Sequence, residues 1–357
     1  MSKTAYITIS DLHSSYKNKE NRFNYLEEID YSIQRIINTG TRYKQQGYKV
    51  VLLFLGDIVD MSFKDMNKGI WLNNLFVKLR MMFDGIYCTI GNHEFTYYKD
   101  NPFWTLMTKI DSKEILSSIN STWKPAGLLQ LVDVVDTLED GEVLFNFNHH
   151  PTRIQKPKEG KINFGLFHKN LVPSVIAEQM EKEKGMDIWG DSLEDFVNTN
   201  LLDGYDYCFM GHVHKIYGHF IFTNDTSNYL SHLYYLASLG RPNHSEVKDT
   251  FLERNLPATL VENGKLIRVE DNLFDLPTRT SSVIQEVVDE QQKTYKEVKE
   301  KREYYENIVS MGNPIENIRG SLAKNPMLLI KFDSYLQNDR TQEEHDLMNE
   351  VEKVKWL

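Results

Sequence analysis

The chain lacks most of the features that mark secreted, membrane-bound or low-complexity proteins. Its 357 residues include only two cysteines, Cys88 and Cys208, which lie in apolar segments and are interpreted as small core residues, not as a disulfide. No run of eighteen apolar residues is present, so we expect no transmembrane helix. The N-terminus leads directly into an apolar strand-like segment, without the apolar region of a signal peptide. We therefore expect a cytoplasmic protein that does not associate with membranes.

An excess of basic residues is also absent. The chain has 41 Lys and Arg against 51 Asp and Glu, which gives a net charge of −10 at pH 7. This balance argues against a protein that coats nucleic acid by charge alone, although bound divalent cations would offset part of it. One basic group is interpreted equally well as a solvated loop or as a contact for phosphates; it comprises Arg153, Lys156, Lys158, Lys161 and Lys169.

What the chain does contain is a set of five polar motifs, each directly after an apolar, strand-like run. In order they are Asp11-Leu-His13, Gly56-Asp57-Ile-Val-Asp60, Gly91-Asn92-His93-Glu94, His168 and Gly211-His212-Val-His214. The carboxyl ends of strands in an open α/β sheet share one edge, so we expect these side chains to gather there. Any one motif alone is more often a surface turn, but five in order predict a metal site.

The side chains in these motifs indicate the kind of metal site. Carboxylate, imidazole and amide ligands suit manganese, iron or zinc, and the lack of a thiolate argues against a structural zinc site. Two cations about 3.5–4 Å apart can activate water and hold a phosphoryl group during in-line displacement. Asp57 is the natural carboxylate to bridge such a pair, because it lies between the other motifs in chain order.

Together the motifs resemble those of the calcineurin-like metallophosphoesterase superfamily, D-x-H, G-D-x-x-D, G-N-H-[DE], a single His and G-H-x-H. The resemblance spans residues 11 to 214 and implies a catalytic site with two divalent cations, manganese first, with iron or zinc as alternatives. It implies that the first cation is held by Asp11, His13, Asp57 and His214. It implies that the second is held by Asp57, Asn92, His168 and His212. His93 would then be the general acid for the leaving oxygen, and Asp60 would orient His93.

The identity of the single histidine is the most open of these assignments. His149-His150-Pro151 also follows an apolar run, and some members of the superfamily use a His-His-Pro motif at this point. We favour His168, because Ile162–Phe167 is the better pattern for a buried strand and lies nearer to Gly-His-x-His. His149 and His150 remain the alternative ligands.

The chain reads as alternating strands and helices, followed by a segment of different character. Helices are predicted over Ile29–Gln46, Trp71–Met82 and Val172–Lys184, the last with Asn170 as its N-cap, and Asn263-Gly264 predicts a hairpin turn. We expect an α/β fold over residues 1–276, the two-sheet sandwich of the superfamily flanked by helices, as a catalytic domain. For residues 281–357 the pattern predicts a small α+β appendage that caps the site or binds a partner. Its first predicted element is a charged helix over Ser281–Ile308.

Three features of the later chain resemble SbcD-type DNA repair exonucleases. They are the Tyr235–Arg241 stretch after Gly-His-x-His, the hairpin at Ala258–Val269, and the C-terminal appendage. This resemblance implies a DNA nuclease, an exonuclease or endonuclease of repair or recombination. DNA is then the expected partner, with an SbcC-type ATPase and a second copy of the chain as candidate protein partners. Ser14-Ser15 and Glu94 depart from that family's usual Leu-Gly and Asp.

Other functions fit the same motifs. A phosphoesterase acting on small-molecule or nucleotide phosphoesters is the first alternative. A serine/threonine protein phosphatase is the second, but such enzymes carry an arginine after the Gly-Asp-x-Val-Asp motif, where this chain has Met61-Ser62. A non-catalytic scaffold is disfavoured, because every expected ligand is present.

Overall fold

The computed structural model describes residues 2–14, 25–59, 66–97, 102–118, 127–150, 154–172, 196–214, 217–223, 229–241 and 252–278, together with Lys293 and Lys296. Asp60 lies outside these residues, as do nearly all of the predicted appendage and most of the predicted third helix. The chain divides into two compact units, Met1–Val287 and Val288–Leu357. The boundary predicted between residues 276 and 281 stays a prediction, and the elements below all belong to the first unit.

Fifteen strands and five α-helices make up the described part of the chain. In chain order the strands β1 to β15 are Lys3–Ile9, Lys49–Phe54, Gly85–Cys88, Thr108–Ile110, Val132–Val134, Thr137–Asp140, Val143–Asn148, Ile162–Phe167, Asn170–Val172, Phe196–Asn198, Tyr207–Met210, Gly218–Thr223, Leu230–Tyr235, Glu253–Glu262 and Lys265–Asp275. The helices α1 to α5 are Tyr25–Gln45, Met66–Met82, Asn92–Tyr97, Pro102–Met107 and Lys113–Ser118. No helix among the described residues is long and apolar enough to cross a membrane.

The strands form two large mixed sheets and one short pair. The first sheet has the order β15-β14-β1-β2-β3-β5-β4 and the second β12-β13-β11-β8-β7-β6, while β9 pairs with β10. Strands β1, β2 and β3 are parallel in the first sheet, and β7, β8, β11 and β13 are parallel in the second. The motif-bearing strands therefore end at a common edge of each sheet. The predicted α/β two-sheet sandwich is confirmed.

Alternation along the strands builds a core on each side of the first sheet. Ala5 and Ile7 of β1 face a cluster that includes Ile29, Ile33 and Ile36 of α1. Tyr6, between them, faces the second sheet, where its ring lies 4.6 Å from that of Phe145. Successive side chains of a strand point to opposite faces, so one strand can line both cores. The aromatic layer between the sheets fixes their relative position, and with it the distance between the motif-bearing edges.

Two local expectations have opposite outcomes. The Asn263-Gly264 hairpin is confirmed: both residues have positive φ, 52° and 74°, as a type I′ turn requires. The expectation that Asn170 caps a helix beginning at Val172 is wrong, because Asn170–Val172 is strand β9. It pairs in parallel with Phe196–Asn198, a partner distant in sequence that local periodicity could not show.

Arg241, from the exonuclease-like stretch, is a buried structural residue. Its Nε donates to Glu28 Oε1 at 2.9 Å and its main-chain N to Glu28 Oε2 at 3.0 Å, while Nη2 donates to Glu28 and to the Pro277 carbonyl at 2.8 Å. Both side chains of the pair are nearly inaccessible to solvent. The pair ties the loop after β13 to helix α1 and to the end of β15.

We predict that Arg241→Ala destabilises the fold by about 3–5 kcal/mol, because it leaves the Glu28 carboxylate buried without its cationic partner. Urea unfolding monitored by circular dichroism measures the change. Lys109→Ala, which removes an exposed ion pair with Asp111, is the control and should leave the unfolding midpoint unchanged. Equal midpoints for the two variants would contradict the structural role of Arg241.

Candidate metal centre

The loops after β1 and β2 run side by side beyond the sheet edge. Main-chain hydrogen bonds join His13 N to Asp57 O at 2.8 Å, Ser14 N to Ile58 O at 2.8 Å and Asp11 N to Gly56 O at 3.2 Å. This pairing brings the side chains of the first two motifs together. It also fixes the register of the two loops, that is, which residue of one loop lies beside which residue of the other.

The backbone at these positions is strained. Six non-glycine residues in the described part of the chain have positive φ, and four of them are candidate ligands: Asp11 at 54°, His13 at 45°, Asp57 at 52° and His212 at 78°. Each such residue costs on the order of 1–3 kcal/mol, and residues of this kind concentrate at functional sites. The strain therefore points to the same residues as the sequence motifs.

The first group of side chains comprises Asp11, His13 and His214. The Nε2 atoms of the two histidines lie 2.8 Å apart, and each is 3.4 Å from Asp11 Oδ1. The other carboxylate oxygen, Asp11 Oδ2, accepts hydrogen bonds from His212 N at 3.0 Å and from the Ser10 hydroxyl. Asp11 is thus anchored through one oxygen and presents the other to the two imidazoles, an arrangement that could hold a cation.

The second group comprises Asp57, His168 and His212. His168 Nε2 lies 3.1 Å from Asp57 Oδ2 and 3.3 Å from His212 Nδ1. His168 Nδ1 donates to the Leu55 carbonyl at 2.7 Å, which leaves Nε2 as the nitrogen that can bind a cation. The Leu55 carbonyl is a contributor that the motif pattern did not reveal.

Asp57 stands between the two groups. Its Oδ2 lies 3.8 Å from His13 Nε2 and 3.7 Å from His93 Nε2, so Asp57 also forms a third group with these two histidines. This position fits the carboxylate expected to bridge two cations, although bridging itself stays a prediction. His93 was expected to act on substrate and not to bind metal, yet its geometry also allows it to contribute a ligand.

Asn92, the first residue of α3, is the remaining ligand expected from the motifs. Its side-chain Oδ1 is buried, and no hydrogen-bond partner for it lies among the described residues. A buried amide oxygen without a partner is costly, so its presence here fits a cation ligand. The donor set of carboxylate, imidazole and amide oxygen therefore suits divalent cations such as manganese, iron or zinc.

The carboxyl groups of the centre favour cation binding, whereas a proton on His168 competes with a cation. Burial opposes ionisation of Asp11 and Asp57, but the adjacent His168 holds the pKa of both carboxyls well below the usual range. Burial likewise opposes protonation of His168, but Asp57 and then Asp11 raise its pKa to about 9. A cation bound at His168 Nε2 would take the place of this proton, so its affinity should rise with pH.

The alternative ligands His149 and His150 are both buried, and both bond to the main chain of Ile90. His149 Nδ1 accepts a hydrogen bond from Ile90 N at 3.0 Å, and its Nε2 donates to the Val135 carbonyl at 3.1 Å. Burial lowers the pKa of His149 to about 4, so the ring is neutral with both nitrogens in use. His150 bonds through its main-chain N to the Ile90 carbonyl at 2.9 Å. The structure thus groups His168, and neither of these residues, with Asp57 and His212.

The remaining expected contributors are Asp60 and the basic group. Asp60 lies outside the described residues, so its role toward His93 stays a prediction. In the basic group, Lys158 and Lys161 both pair with Glu139, at 3.4 Å and 2.5 Å, and Lys169 is buried. The Lys158 pair is exposed to solvent, Lys156 is also exposed, and Arg153 lies outside the described residues, so contact of this group with phosphates stays a prediction.

The chain is similar to one known protein family and to several solved structures. The sequence profile of the calcineurin-like phosphoesterase family matches residues 6–216. No curated protein matches the chain. Similar solved structures include a 5'-nucleotidase precursor from Thermus thermophilus, at 12% identity, 82% coverage of this chain, 59% of that chain and a TM-score of 0.40. Another is the sulfate thiohydrolase SoxB of the same organism in complex with glycerol, at 9% identity, 83% coverage of this chain, 61% of that chain and a TM-score of 0.36. The chain spans about three fifths of the length of these two proteins.

We predict that His168→Ala removes at least one bound divalent cation, whereas His149→Ala retains the wild-type number. His149→Ala should instead lower stability by about 1–3 kcal/mol, because it leaves the buried Ile90 N–H without an acceptor. Elemental analysis after Mn²⁺ loading and thermal unfolding of the same samples measure the two effects. Loss of a cation from His149→Ala but not from His168→Ala would reverse the assignment.

Proposed function

This chain belongs to the calcineurin-like phosphoesterase family, whose members are metal-binding hydrolases of phosphoesters, and we propose that it hydrolyses DNA phosphodiesters at a two-cation site. The observation that carries the proposal is the position of Asp57, whose Oδ2 faces both His168 on one side and His13 on the other. A carboxylate shared in this way suits a pair of cations that act on one phosphoryl group.

The proposed ligands follow from the two groups of side chains. Asp11, His13, Asp57 and His214 would hold one cation. Asp57, Asn92, His168 and His212 would hold the other. When bound, such cations polarise a phosphoryl oxygen and lower the pKa of water, and manganese suits this donor set.

His93 is the side chain placed to act on the leaving group. Its main-chain N donates to Asp57 Oδ1 at 3.3 Å, and its ring meets the His13 ring edge-on with centroids 5.3 Å apart. Its side chain is 28% exposed, whereas those of His13 and His168 are nearly inaccessible to solvent. His93 thus combines contact with the centre and access to substrate, and it can donate the proton that an alkoxide leaving group requires.

The choice of DNA as substrate is supported by sequence. The Tyr235–Arg241 stretch and the β14–β15 hairpin resemble the corresponding segments of SbcD-type exonucleases. We further propose that residues 281–357 serve as an accessory module for duplex DNA or for an SbcC-type ATPase, in a protein located in the cytoplasm. A protein phosphatase is disfavoured by Met61-Ser62, where those enzymes have an arginine.

A substrate panel with Mn²⁺ tests the proposal, in the full chain and in a version ending at Thr278. We expect both to cleave bis(p-nitrophenyl) phosphate, because every proposed ligand precedes residue 215. Only the full chain should degrade linear duplex DNA efficiently. Cleavage of nucleoside monophosphates but not of DNA by the full chain would instead indicate a small-molecule phosphoesterase. Equal DNA cleavage by both versions would remove the proposed role of residues 281–357.

We predict that His93→Asn lowers turnover of a phosphodiester with an alkyl leaving group by about 10²–10⁴-fold, because protonation of the leaving oxygen is lost. The loss should be much smaller for a nitrophenyl ester, whose leaving group needs no proton. Steady-state kinetics on the two substrates, with bound Mn²⁺ measured in parallel, provide the comparison. Equal losses on both substrates, or loss of a cation, would argue against the acid role.

A further inference from the structure

Glu94 joins the loops that follow β2 and β3, although the motif pattern gives it no part in metal binding. Its buried carboxylate accepts three main-chain hydrogen bonds, from Asp57 N at 2.8 Å and Gly91 N at 2.9 Å through Oε2, and from Val59 N at 2.9 Å through Oε1. Two of these donors belong to the loop that carries Asp57. One side chain therefore fixes the backbone at Asp57 and two residues beyond it.

The same contacts determine how the Asp57 carboxylate is directed. A Cβ atom at Gly91 would lie 2.4 Å from Asp57 Oδ1 and 2.9 Å from Glu94 Oε2, so both carboxylates occupy the space that a side chain would need. Asp57 Oδ1 accepts from His93 N at 3.3 Å, and Oδ2 is left facing His168. The direction of Oδ2 thus depends on where Glu94 holds the Asp57 backbone.

A carboxyl side chain is the one suited to this position. Glu94 and Asp57 are both buried, and their carboxyl groups lie against the same side of Gly91. Both oxygens of Glu94 are used as acceptors for main-chain N–H groups. A glutamine has one acceptor oxygen and one NH2 donor, so it could not accept all three of these bonds.

We propose that Glu94 is a positioning residue, which holds the Asp57 loop so that Asp57 Oδ2 can be shared by two cations. The inference rests on the proposed two-cation site. Glu94 itself would touch neither substrate nor cation. An aspartate, one methylene shorter, could keep the bond to Gly91 within its own turn but would reach Asp57 N and Val59 N less well.

The test compares Glu94→Gln with Asn163→Asp in the full chain. Each is an isosteric exchange between amide and carboxylate at a buried side chain that makes three main-chain hydrogen bonds. Asn163 bonds Lys158 N at 2.8 Å and the carbonyls of Lys158 and Lys161 at 3.0 Å each. It lies at the opposite end of β8 from His168, roughly 16 Å away at the usual rise per strand residue. Thermal unfolding without metal, Mn²⁺ titration and electron paramagnetic resonance are measured for each protein.

For Glu94→Gln we expect about 10–100-fold weaker binding of the second Mn²⁺ and loss of the exchange-coupled dimanganese signal. Asn163→Asp should lower the unfolding temperature yet keep the coupled pair. Glu94→Asp, which retains the charge, provides a second variant should Glu94→Gln not fold, and it should also weaken the second Mn²⁺. Wild-type affinity and coupling in the Glu94 variants, or equal loss in Asn163→Asp, would overturn the inference. Binding of one Mn²⁺ by the wild type would instead refute the proposed two-cation site.

Discussion

The main-chain hydrogen bonds between the loops after β1 and β2 are the constraint on which the metal centre depends. They continue the pairing of the parallel strands beyond the sheet, from Asp11 with Gly56 to Ser14 with Ile58. To make these bonds while turning the side chains inward, Asp11, His13 and Asp57 adopt positive φ. The rest of the fold must supply the free energy that keeps this strained arrangement in place.

That free energy comes from the two apolar layers around the first sheet. The strands β1 and β2 are buried on both faces, against α1 and α2 on one side and against the aromatic layer of the second sheet on the other. Buried strands of this kind unfold only when the whole domain unfolds. The loops at the ends of these strands are therefore held rigidly as well. The Arg241–Glu28 pair extends this support, since the loop it fixes donates from Leu239 N to the Asp11 carbonyl at 3.1 Å.

The sequence predicted the parts of this structure that local patterns encode. Five motifs after five apolar runs were enough to predict the fold class, because each polar residue marks the end of a strand. Long-range pairings were not predictable in the same way: β9 is a strand only because Phe196–Asn198 lies beside it. The role of Glu94 was hidden for a similar reason, since its partners Asp57 and Val59 are 37 and 35 residues away. Likewise, only the positions of Ile90 and Val135 around the ring show that His149 has both nitrogens engaged.

The two sheets contribute to the centre in different ways, and close backbone approach is what joins them. His168 reaches the first sheet through its bond to the Leu55 carbonyl, directly before Gly56 and Asp57. A Cβ at Gly56 would lie 2.8 Å from the Gly91 main chain and 3.1 Å from the His168 ring, and one at Gly211 would lie 2.1 Å from Ser10 Oγ. The motif glycines are therefore required less for flexibility than for contact between loops. Because these contacts set the separation of Asp57 from His168, the geometry of the second ligand group is determined by packing between the sheets rather than within either one.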